Sequence, residues 1–279
     1  MIKYFFTVSL VAVVSINNTA AQYYHKDILS VKQSFADKSI LQDQKIKTVI
    51  VHSFEADGST SEGFFCQKKI SKNYKLVETF TRSYMTGKSL QSAFYNEKGM
   101  LIKSIDSSEI NAVTTVYEYD EKDNVITITS YNHSSDEDYT TAVKEVHAYT
   151  YNLKSKPVKM LRIRNDTDTT LIDFVIDEKN NVTDEIEKTP NGKHYYYYYD
   201  SKNRLTDIVK FNVVKNALVP DFIFEYDYEG QLTQMVSVEE GISGDYFTWK
   251  YTYLDGLRII EKCFSKDKKL LGYFEYEYK

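Results

Sequence analysis

The residues that could do chemistry are few and scattered. His25, His52, His133, His147 and His194 stand far apart, and none belongs to a C-x-x-C or H-E-x-x-H pattern, so no zinc site is expected. Asp136-Glu137-Asp138 and Asp166-Thr167-Asp168 alternate carboxylates as calcium loops do. Both lack the glycine and the distant glutamate such a loop needs, and read as solvated loop tips. The stretch DGSTSEG at 57–63 has neither the spacing of a nucleophile elbow nor a helical pattern after it, and reads as a hairpin loop. No glycine-rich phosphate loop occurs. Glycoside hydrolysis needs only two carboxylates anywhere in sequence, and 40 acidic residues neither nominate nor eliminate a pair. The expectation is no catalytic residue, no metal and no cofactor.

What remains is aromatic. Tyr and Phe number 25 and 15, and many sit two apart just before an Asp or Asn. Side chains two apart in a strand share a face, so Tyr117/Tyr119, Tyr149/Tyr151, Phe174/Ile176, Tyr197/Tyr199, Phe224/Tyr226 and Tyr251/Tyr253 would stack into a band, with Trp249 extending it. Two readings follow. Such a band is ordinary sheet core. If exposed, its rings suit sugars and peptide strands, and Tyr117, Tyr119, Tyr149, Tyr151, Tyr197, Tyr199, Phe224, Tyr226, Trp249, Tyr251 and Tyr253 are the candidate binding stripe.

The band is carried by a repeat. AFYNEKGML, YEYDEKDNV, YTYNLKSKP, FVIDEKNNV, YYYDSKNRL, FEYDYEGQL and a truncated YTYLDGLRI recur from residue 93 onward. Their Asp/Asn positions, Asn96, Asp120, Asn152, Asp177, Asp200 and Asp227, are 24, 32, 25, 23 and 27 residues apart. That period is too short for a propeller blade and fits one hairpin. Asp or Asn starts a type I turn by bonding its own backbone two residues on. Three residues later stand Gly99, Asp123, Ser155, Asn180, Asn203 and Gly230, mostly types that tolerate positive φ. The expected hairpin is therefore a type I turn followed by a left-handed bulge residue. Leu101, Val125, Val182, Leu205 and Leu232 start the return strands, while Pro157 in the third copy predicts an irregular or edge-like return.

The repeat resembles the YD or Rhs type of bacterial exported proteins, whose consensus runs Tyr-Asp, two variable residues, Gly, a polar residue and Leu. The likeness covers about residues 93–279 and is best around Asp200 and Asp227; glycine is replaced in four of the six full copies. The resemblance implies a long antiparallel sheet of hairpins and an envelope or extracellular location, and no catalytic residue. The expected fold is all-β: an antiparallel meander of about seven repeated hairpins forming one long, twisted, open sheet. Residues 22–90 form a small irregular N-terminal cap, with strands near 47–55, 64–69 and 74–82 and a short helix over 27–42, continuous with the repeat region 91–279 as one domain. Cys66 and Cys263, before and after the repeats, would then lie far apart with both thiols free.

The chain opens with Lys3, an apolar run from Tyr4 to Ile16 and small residues ending at Ala21, the form of a signal peptide over residues 1–21. The run is too short for a membrane anchor. Cleavage after Ala21 would leave a formal charge of −6, which offers nothing to a nucleic-acid backbone. The sequence thus reads as an exported, non-enzymatic repeat protein of the periplasm, cell surface or extracellular space, presenting an aromatic-rich sheet to polysaccharide or an envelope protein. The alternatives are an outer-membrane β-barrel and a glycan-active enzyme. Asp184 between Val182 and Ile186, Lys250 between Thr248 and Thr252, and Arg162 and Arg164 beside Val158 and Met160 speak against lipid-facing strands, so no membrane insertion is expected.

Overall fold

Each repeated turn closes as its residue types dictate. In the computed structural model, which describes residues 23–134, 143–212, 215–239 and 244–279, Asp120 Oδ1 accepts the N–H groups of Lys122 and Asn124, both at 2.9 Å. The Asp123 N–H donates to the Asp120 carbonyl at 3.0 Å. Asn152 and Asp200 repeat the pattern. The bulge positions are left-handed throughout: φ is 84° at Gly99, 62° at Asp123, 58° at Ser155, 66° at Asn180, 59° at Asn203 and 93° at Gly230. The truncated copy turns instead on two left-handed residues, Asp255 and Gly256, which suits a two-residue hairpin. Nothing lies within 4 Å of the place a Gly230 Cβ would take, so only the backbone angle opposes a side chain there. Gly230→Val should cost about 1–2 kcal/mol while Gly230→Asn costs a few tenths. Equal shifts of the two variants in denaturant titration would overturn the turn assignment.

The turns join strands that pair with their chain neighbours, apart from the first and the last. Four strands precede the main repeats: β1 (Thr48–Glu55), β2 (Phe65–Ile70), β3 (Leu76–Ser83) and β4 (Gly87–Tyr95). Then follow β5 (Leu101–Ser108), β6 (Asn111–Tyr119), β7 (Val125–Ser134), β8 (Val143–Tyr151), β9 (Pro157–Arg164), β10 (Asp168–Ile176) and β11 (Val182–Glu187). The set ends with β12 (His194–Tyr199), β13 (Leu205–Asn212), β14 (Ala217–Tyr226), β15 (Leu232–Val238), β16 (Tyr246–Leu254), β17 (Leu257–Phe264) and β18 (Leu270–Tyr278). At each motif the ladder slips by one residue, so Tyr119 faces Val125 and Tyr199 faces Leu205 across a bulge.

The expected open sheet is wrong. β18 pairs with β1 over seven register positions, from Val49↔Tyr278 to Glu55↔Gly272, and β1 also pairs with β2. The eighteen strands among the described residues therefore form one closed antiparallel barrel, and closure removes the two unpaired edges that an open sheet would expose. Nor is the N-terminal region an irregular cap, because β1–β4 are regular staves of the wall. Pro157 starts an ordinary return strand facing Tyr151, buried rather than at an edge. Cys66 and Cys263 are free and buried. Strands β1 and β18 stand between theirs, about 14 Å across the wall, so the barrel closes without a disulfide.

In four copies the motif tyrosine has a use that Phe would not serve. The carbonyl that opens a return strand lies past the last residues paired between adjacent hairpins, as at Leu101, beyond Lys103↔Val116. A hydroxyl fills that gap: Tyr119 donates to Leu101 O at 2.6 Å, Tyr151 to Val125 O at 2.7 Å, Tyr199 to Val182 O and Tyr226 to Leu205 O at 2.8 Å, and Tyr278 to Arg258 O at 2.6 Å. Each bond ties one hairpin to its predecessor and pairs a carbonyl that would otherwise be stranded in the core.

One helix, α1 (His25–Asp43), crosses the turn end of the barrel. Nineteen residues reach about 28 Å, and eighteen strands at about 4.8 Å enclose a ring roughly 27 Å wide before tilt widens it. The helix thus bridges the mouth from wall to wall. Its C-terminal Leu41 packs with Val49, Ile70, Val77, Tyr95 and Leu101, and Ser34 meets the Tyr95 hydroxyl at 2.9 Å. Gln44 Nε2 donates to Asp255 O at 2.6 Å on another wall.

Candidate functional site

The strand alternation sets which side chains enter the barrel, and the contacts with α1 identify that face. Val125, Ile128, Tyr149, Met160, Ile172, Phe174, Val182, Tyr195, Tyr197 and Ile208 form one cluster with Tyr24 and Ile28. Val51, Cys66, Trp249, Tyr251, Cys263 and Phe274 form another. All eleven stripe residues point inward. Tyr149, Tyr197, Trp249 and Tyr251 are buried, Tyr117, Tyr119, Tyr151, Tyr199, Phe224 and Tyr253 pack against the clusters, and Tyr226 lies under the Arg204 guanidinium. The band thus faces the interior, part of it buried and part of it packed beside the buried residues.

Inside this aromatic region lies a buried polar cluster that sequence reasoning missed. The first turn of α1 has no cap from its own side chains. Glu185, on β11, supplies one from the wall, accepting the Tyr24 N–H at 2.7 Å and the His25 N–H at 2.8 Å, while the Tyr197 hydroxyl donates to it at 2.8 Å. Burial lifts the Glu185 carboxyl to about 7 against these three bonds, which favour its charged form. Asp27, one turn into α1, meets His147 Nδ1 at 2.6 Å and the Tyr149 hydroxyl at 2.8 Å, and Glu145 takes the other His147 nitrogen at 2.9 Å. Burial opposes charge on His147, but the two carboxylates outweigh it and push the imidazole up to about 9. His25, packed against Phe174 and Tyr197, is pushed down to about 3 by burial. Acids and bases are thus gathered, but they hold the helix N-terminus against the wall.

A second buried group is equally committed. The Arg258 guanidinium lies 4.2 Å from the Tyr251 ring centre and meets Glu261 at 3.2 Å, and Tyr276 donates to Glu261 at 2.8 Å. The remaining candidates fall elsewhere. His52 faces outward beside Glu277, His194 outward beside Asp184, and His133 is exposed. DGSTSEG is the turn between β1 and β2, with Thr60 bridging back to Phe54. Asp166 lies in a left-handed turn, paired to Lys144 at 2.8 Å. The carboxylates at 136–138 and the signal peptide expected over 1–21 lie outside the described residues. Among the described residues no three His, Cys, Asp or Glu side chains converge as metal ligands.

Away from the turn end the inner wall changes character. Ser104, Thr115 and Ser130 stand side by side across β5, β6 and β7, and Asp106, Val113 and Asn132 form the next row. No residue of β6 is fully buried. Beyond the aromatic rows at the turn end, which α1 closes, the inner wall of β5–β7 is polar and only partly buried.

The outer wall carries charge at mid-strand. Glu78, Lys103, Asp173, Asp184, Lys250, Lys262 and Glu275 all take the face opposite the core, and Lys250, Lys262 and Glu275 are exposed.

No known family profile matches this sequence, and no curated protein does. Solved structures do. A porin-like protein from Bacteroides uniformis aligns at 8% identity and a TM-score of 0.40, covering 84% of this chain and 96% of its own. A porin-like protein from Bacteroides vulgatus aligns at 12% and 0.31, covering 84% and 98%. The Tc holotoxin pore of Photorhabdus luminescens aligns at 11% and 0.27, covering 74% of this chain and 15% of its own. All three scores lie below 0.5, and none decides function.

Proposed function

We propose that this chain is an exported, non-enzymatic protein of the bacterial envelope, built from divergent YD-type hairpins, that works in water as a barrel sealed at one end. The charged outer wall carries this reading. A Lys on a lipid-facing strand costs about 2–4 kcal/mol at mid-membrane and an Asp or Glu less, and here seven strands would each bury one such charge. Strand length points the same way: β2, β11 and β12 have six residues each, about 20 Å before tilt, short of the roughly 25 Å apolar band of a membrane barrel. The titratable groups of the aromatic region are occupied in holding α1 and the wall, which supports a binding rather than a catalytic role.

Closure itself favours a second reading, since closed antiparallel barrels are the strand architecture that crosses outer membranes. No helix among the described residues is long and apolar enough to cross a membrane, which says nothing about strands. Fractionation separates the two. The full chain expressed in a Gram-negative host should leave with the osmotic-shock fluid, stay monodisperse without detergent and give no conductance in planar bilayers. Retention in carbonate-washed outer membranes, with unit conductance steps, would overturn the aqueous reading in favour of the membrane barrel.

A further inference from the structure

The inner wall of β5–β7 holds polar groups that the fold does not use. Asn132 Oδ1 is buried and has no hydrogen-bond partner among the described residues. A buried acceptor left open costs about 1–3 kcal/mol, so its persistence calls for a ligand or water that donates to it. Asp106, one strand pair away through Val113, takes no ion pair or hydrogen bond among the described residues, and burial raises its carboxyl above the usual range. Between these acceptors and the aromatic floor lies the hydroxyl row: Ser104 within 3.5 Å of the Tyr117 hydroxyl, and Thr115 and Ser130 joined at 3.0 Å. Neighbouring positions in such a row repeat at about 5 Å, comparable to one sugar ring in a chain. The ring of Tyr117 borders the row with an apolar face.

We infer that the inner wall of β5–β7 binds a neutral oligosaccharide, whose hydroxyls donate to Asp106 and Asn132 and exchange hydrogen bonds with Ser104, Thr115 and Ser130. A phosphate or uronic acid is disfavoured by Asp106. A polyamine would find one carboxylate on this wall among hydroxyls and an amide, fewer charges than its own. The inference rests on the reading of the barrel as a water-filled vessel.

Isothermal titration of the full chain with cello-, malto- and chito-hexaose, and with spermidine as the cationic probe, tests it. At least one hexaose should bind. Asp106→Asn should weaken it about tenfold, the loss of one charge-assisted hydrogen bond, and Thr115→Val with Ser130→Ala should do likewise. Thr114→Val, on the outer face of the same strand, should leave it unchanged. Circular dichroism of each variant confirms that the fold is intact. Binding of spermidine alone, binding of no hexaose, or equal affinity in wild type and inner-wall variants would each overturn the site. If the chain proves to need detergent, the same titration in micelles scores the sugar site separately from the aqueous reading.

Discussion

Deleting residues 270–279 should prevent recovery of a monomeric protein. β18 is the stave that closes the ring, and its loss leaves β17 and β1 with open edges. Long unpaired edges template pairing with other chains, so the expected product is aggregate. The lost strand also takes Phe274, 3% exposed, out of the core and removes the Tyr276 donor from buried Glu261. Truncating one such aromatic alone costs about 3–5 kcal/mol, a large share of the stability of any domain. A single-residue version tests the same seam. Gly272 faces β1 so closely that a Cβ would stand 2.8 Å from the Phe54 carbonyl oxygen. Gly272→Val should therefore melt well below wild type, while Gly256→Asn, at an exposed turn, should not. A deletion variant that is monodisperse with the wild-type circular dichroism spectrum would show that closure by β18 is dispensable.

That seam is also the feature the sequence hid. Hairpin turns are local: Asp120 bonds its own backbone and Asp123 takes a left-handed φ within four residues, so spacing and residue type reveal them. The strands expected near 47–55, 64–69 and 74–82 fall on β1, β2 and β3, while β4 was not read from the sequence. Closure joins Val49 to Tyr278, two alternating strands that could pair with almost any neighbour, and nothing in TVIVHSFE names its partner. The tyrosine ladder was visible as a stripe, but whether a stripe faces core or solvent depends on curvature, which only closure sets. Glu185 is the sharpest case. Within VTDEIE it reads as one carboxylate among several, and its role depends on a bulge that turns it inward and on a helix 160 residues earlier in the chain. Once the inward face is known, a charge at an inward position is the signal that would have found it, as it would Asp106.

The docking of α1 gives the second large effect. Glu185→Ala should strip the acceptors from two backbone N–H groups and from the Tyr197 hydroxyl, costing roughly 3 kcal/mol and lowering Tm by about 10 °C for a chain of this size. Its pH dependence follows from the groups around the helix N-terminus. Glu185 keeps its proton in the fold to about pH 7, against 4.5 as the ordinary value, so its contribution is complete below 4.5 and is lost as pH rises through 7. His147 holds its proton to about 9 against 6.5, so its contribution is complete below 6.5 and is lost as pH rises through 9. His25 works in the other sense, pushed down to about 3, and Asp27 is also held below its ordinary value despite burial, by His147 and Tyr149. Their contributions are lost as the medium turns acid. The helix should therefore sit most firmly near pH 5–6 and loosen toward pH 9. Hydrogen exchange of residues 25–43, corrected for the intrinsic pH dependence of the amides, reads this directly: protection should peak in that window and fall on the alkaline side. In Glu185→Ala it should be low throughout, while the β10 and β13 amides stay protected. Flat protection from pH 5 to 9, or a wild-type melt for Glu185→Ala, would mean that the wall carboxylate does not hold the helix.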